Sequence, residues 1–95
     1  AYARKMFGMY GGKEEWVRIE CDNSFAGVMI DRFGKDVSMI RLDDKRFVVN
    51  VEVAVSRQFL AWIISLGEGV TLVGPDNVVE MMNIEIDRLI KQYKK

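Results

Sequence analysis

At 95 residues, with 49% hydrophobic and 29% charged side chains, the chain is one globular domain with one core. Its 14 basic side chains are cancelled by 14 acidic ones, which counts against binding nucleic acid through phosphates, a role that needs surplus Lys and Arg to displace counterions. Histidine is absent, removing the usual proton carrier near neutral pH and the commonest metal ligand, while a lone Cys21 excludes an internal disulfide and fits a reducing cytoplasm.

The chain opens on Ala1 rather than Met and reads as a piece of a longer protein. Residues 1–12, AYARKMFGMYGG, read as the end of a linker: Gly8, Gly11 and Gly12 break regular structure, and Met6, Phe7, Met9 and Tyr10 are expected to pack on this domain or on a preceding one. The domain proper is expected over 13–95. EWVRIECD alternates with the period of a half-buried strand, placing Val17, Ile19 and Cys21 on the core face and Trp16, Arg18 and Glu20 opposite. Asn23 or Ser24 then offers an N-cap to a helix with apolar Phe25, Ala26, Met29, Ile30 and Phe33. Val37 to Leu42 reads as a second strand and Asp43–Lys45 as a turn. In the third strand, RFVVNVEVA, Phe47, Val49, Val51 and Val53 face the core opposite Val48, Asn50 and Glu52. Ser56 caps a second helix that closes at Gly67, and VTLVG is a short fourth strand. Pro75, with Asp76 or Asn77 as cap, launches a last helix to the C-terminus, where Asn77 and Glu80 have capping-box spacing.

An internal echo organises these elements. Asn23 to Gly34 and Ser56 to Gly67 have the same length, and laid over each other Ile30 meets Ile63, Phe33 meets Leu66 and Val37 meets Val70. Two such βαβ units joined by a hairpin describe an α+β fold, the ferredoxin-like βαββαβ antiparallel sandwich, here with an additional C-terminal helix. The first and third strands should lie in the middle of the sheet. Gly34, in FAGVMIDRFGKDV, repeats the position of Gly67 and reads as helix punctuation rather than a ligand loop.

No catalytic constellation is legible. Ser24, Ser38, Ser56 and Ser65 have no histidine to activate them, and Cys21 falls on a core face where a thiol is inert. Asp43, Asp44 and Asp76 are explained by turns, so neither a metal nor a cofactor is expected. GEGVTLVG runs from helix to strand, the reverse of the order in which helix amides face a phosphate. No apolar run approaches the roughly 20 residues needed to cross a bilayer. Two surfaces are candidates for a partner. On the open sheet face Trp16, Arg18, Asn50 and Glu52 form a mixed patch. Trp16 is its lone outward aromatic, since Phe47 is assigned to the core face, and this falls short of the several exposed aromatics of an RNA platform. On the last helix Val79, Met82, Ile86, Leu89 and Tyr93 recur at spacings of three and four, the stripe of a helix–helix seam, widened by Val78, Met81, Ile84 and Ile90. Arg88, Lys91, Lys94 and Lys95 suit the negative end of that helix.

VMIDRFGKDV, followed by FVVNVEVAVSRQFLAWIISLGEGVTLVGPDNVVEMM, resembles the C-terminal extension (WCX domain) of WYL-domain, helix-turn-helix bacterial transcriptional regulators. The run Ser56-x-x-Phe59-x-x-Trp62, then Leu66-Gly67-x-Gly69-Val70 and Gly74-Pro75, carries the likeness, and KMFGMYGG resembles the stretch that joins a WYL domain to this tail. Arg57 and Ala61 stand where Pro and Gly would be expected, and both suit a helix. The resemblance implies regulation rather than catalysis: a homodimer, with DNA read by an N-terminal domain absent from these residues and an effector of unknown identity sensed by the WYL domain. The family's DNA-contacting and effector residues have no counterparts here. A reading from another class is a small-molecule sensor binding a metabolite at a dimer interface, with Arg18, Arg32 and Arg57 as anion contacts.

Overall fold

In the computed structural model, which describes residues 13–94, strand β1 (Glu14–Asp22) turns Val17, Ile19 and Cys21 fully inward and Trp16 and Arg18 outward. The linker expected at 1–12 lies outside the described residues. β1 pairs antiparallel with β3 (Arg46–Ala54) along its whole length, from Glu14 opposite Ala54 to Asp22 opposite Arg46. β2 (Ser38–Arg41) adds to the far side of β3, and β4 (Val70–Gly74) to the free side of β1, both antiparallel. The order is therefore β2-β3-β1-β4, with the first and third strands central as the sequence predicts. Because strand side chains alternate, this register sets Val17 beside Val51, Ile19 beside Val49 and Cys21 beside Phe47 on one face.

Helices α1 (Ala26–Phe33), α2 (Arg57–Ser65) and α3 (Asp76–Tyr93) cover that face. Met29 and Phe33, then Phe59, Leu60 and Ile63, then Val78 and Met82 join the strand residues in one core. Phe33 meets Trp62 edge-on at 5.5 Å between ring centroids, which fixes α1 against α2. The chain is thus an α+β ferredoxin-like sandwich with a third helix, and the second sheet face is left open.

The two helix-ending glycines behave alike. Gly34 has φ 95° and Gly67 φ 84°, the only positive values among the described residues. The Gly34 amide closes the last turn of α1 on the Ile30 carbonyl at 2.7 Å. At the other end of α2, Ser56 Oγ accepts from the Phe59 amide at 3.3 Å, the cap expected there.

Elsewhere the helix starts differ from expectation. Neither Asn23 nor Ser24 caps α1; a 3-10 turn at Asn23–Phe25 precedes it, and Asn23 Nδ2 donates to the Asp44 carbonyl at 2.9 Å. The pairing of Asp22 with Arg46 brings Asn23 against the β2–β3 turn, where this outside acceptor is available. Asn77 likewise donates to both Glu15 carboxylate oxygens, at 2.8 and 2.9 Å, instead of forming a capping box with Glu80. Pro75, which follows a cis peptide bond, takes the N-cap position. The internal echo also stops short of the side chains, since Ile63 is 3% exposed and Ile30 38%. The 3-10 turn rotates about 120° per residue rather than 100°, which shifts the phase of α1 and brings Met29, not Ile30, onto the core. β2 is shorter than expected: Val37 and Leu42 lie outside it.

Candidate functional site

The buried residues of α3 are Val78, Met82 and Glu85, with Leu89 half-buried after them. This contact line, against β4 and α2, runs along one edge of the stripe expected from sequence. Of that stripe Met82 is buried, Val79 and Leu89 are half-buried, and Ile86 and Tyr93 are 40% and 75% exposed. Ile90, half exposed, continues the free edge. Beside it lies an open apolar groove in which Val79, Met82 and Ile86 face Ile64, Val70 and Leu72. On the other shoulder of α3, Met81 and Ile84 border Leu60 and Arg57.

Glu85 is the residue that sequence reasoning missed. It is 8% exposed, and its carboxylate receives both Arg88 Nε at 3.1 Å and Arg88 Nη2 at 2.7 Å, with Arg57 Nε of α2 at 3.4 Å. The Arg88 hydrogen bonds, ahead of the opposing effect of burial, hold the carboxyl below its ordinary value of 4.5. The spacing of Glu85 and Arg88 was visible in the sequence, but the approach of Arg57 from another helix was not. Arg57 is therefore engaged by a carboxylate of the same chain. Arg32 lines a shallow hollow with Val28, Asp31 and Trp62, at the α1–α2 junction. Arg18 stands on the opposite side of the sheet, so the three arginines are not brought together.

The open sheet face does gather its expected residues. Trp16 is opposite Glu52 and Arg18 opposite Asn50 on adjacent central strands, with Trp16 64% exposed. Ile40, opposite Val48, and Val73 add exposed apolar surface that the sequence reading left out. The Arg18 guanidinium lies over Gly74 of β4, where a β-carbon would collide with it. At the edge, Arg46 binds Glu20 at 2.5 Å and Asp43 at 3.1 Å.

Little of this is reactive chemistry. Burial, reinforced by the charges of Asp22 and Glu20, pushes the Cys21 thiol up to about 12, so it stays protonated. Among the described residues no group of three or more His, Cys, Asp or Glu side chains is placed to hold a metal ion, and no helix is long and apolar enough to cross a membrane.

The family model for the WCX domain matches residues 13–90, and the chain belongs to that family. No curated protein matches it.

Proposed function

We propose that this WCX domain is the assembly tail of a WYL-type bacterial transcriptional regulator. It performs no chemistry of its own, joins two protomers through α3 and couples the effector-bound state of one to the other. DNA would be read by a helix-turn-helix outside these 95 residues. The observation that carries the reading is the free edge of α3, where Ile86, Ile90 and Tyr93 are 40%, 50% and 75% exposed beside an apolar groove. A helix that has already packed one side into its own core, and still shows an apolar row, has surface suited to a second subunit.

The test is light scattering on the intact regulator carrying Ile86→Asp and Ile90→Asp, both on the free edge. Loss of the dimer with an unchanged fold is expected; a dimer that persists would overturn the role given to α3. The metabolite-sensor reading has less support, because Arg57 is engaged by Glu85 and Arg18 faces away from Arg32. Thermal stabilisation of the chain by one class of metabolite anion would favour it.

A further inference from the structure

We infer that α3 pairs antiparallel with α3 of a second copy, about a two-fold axis at Ile86. This rests on the assembly reading above and adds the partner element and its direction. Val79, Ile86 and Tyr93 are seven residues apart, so they share one face of the helix at intervals of about 10 Å. A two-fold axis at Ile86 sets Ile86 against its own copy and Val79 against Tyr93 of the second chain. Ile90 then falls near Met82 and Asn83 across the pair.

The direction comes from charge. From Asp76 to Asp87 the helix carries Asp76, Glu80, Glu85 and Asp87 and no basic residue, whereas from Arg88 onward the chain carries Arg88, Lys91, Lys94 and Lys95 and no acidic one. Glu85 and Arg88 are bonded to each other, but among the described residues Glu80, Asp87, Lys91 and Lys94 have no ion-pair partner. The helix dipole acts within the first and last turns and does not account for Glu80 or Asp87. A parallel pair would bring Glu80 to Glu80 and Lys94 to Lys94. The antiparallel pair brings Glu80 within a turn of both Lys91 and Lys94 of the second copy.

α3 has 18 residues and is about 27 Å long, so the helix pair alone covers less than the roughly 800 Å² per partner of a standard interface. Association of the 95-residue chain through it is weak, and a covalent trap reads it best. Cys21 is fully buried and stays silent under mild oxidation, so introduced cysteines report alone. Ile86→Cys should link to itself. Val79→Cys mixed with Tyr93→Cys should give a heterodimer, while Val79→Cys alone should not link, its copies being about 21 Å apart, far beyond disulfide reach. Glu80→Lys should lower the Ile86→Cys linking yield roughly twofold to fivefold, and Lys94→Glu added to it should restore the yield. Self-linking of Val79→Cys would overturn the antiparallel direction. No linking at any of these positions, in a regulator whose dimer still depends on Ile86, would overturn the pairing and leave the assembly reading intact. A regulator that stays monomeric would remove both.

Discussion

Single residues give the sharpest tests of the fold. At Gly67, φ is +84° and a β-carbon would meet nothing within 4 Å, so Gly67→Ala isolates the backbone cost of the left-handed conformation. The expected loss is about 1 kcal/mol, a fall in melting temperature of roughly 4–8 °C by calorimetry. Cys21 should resist a thiol reagent at pH 8 until the protein unfolds; prompt labelling of the native state would contradict its burial. Glu85 governs an acid limb. Its folded carboxyl titrates below 4.5, so its contribution is complete above that value and is lost as pH falls through the lower folded one. Denaturant melts of Glu85→Gln should show a shallower decline on acidification than the native chain. Glu85 was hidden in the sequence because the apolar rhythm of Val79, Met82 and Ile86 is a stronger signal than the true inner line, which passes through a charged residue.

At the scale of elements, the strands were the legible part. The alternation in EWVRIECD is unbroken, and that in RFVVNVEVA is interrupted only by Val48 on the open face. A slip of one residue would turn Val17, Val49, Val51 and Val53 outward, so register follows from pattern. Helix starts were less legible. Asn23 and Asn77 are good caps by residue type, but their amides also reach the Asp44 carbonyl and the Glu15 carboxylate, partners set by tertiary structure rather than neighbouring sequence. The repeat is faithful in length and in its glycines and unfaithful in packing. Ile63→Ala should therefore cost about 2–5 kcal/mol and its repeat mate Ile30→Ala well under half as much, compared by urea unfolding. Equal costs would mean that the two helices pack alike.

For the molecule as a whole, one layer of three helices leaves two surfaces free: the open sheet face around Trp16 and Arg18, and the outer edge of α3. The sequence exposed both, because surplus apolar residues on a helix and a mixed polar strand face are visible in periodicity. It could not show which edge of the α3 stripe the core would take, since β4 and α2 decide that in three dimensions. The account rests on the remaining edge being an assembly surface. The most direct measurement is sedimentation equilibrium of the 95-residue chain up to millimolar concentration, native and with Ile86→Asp and Ile90→Asp together. Reversible dimers in the native chain, absent from a variant with the same circular dichroism and melting temperature, are the predicted result. A native chain that stays monomeric throughout, or a variant that associates equally well, would contradict it.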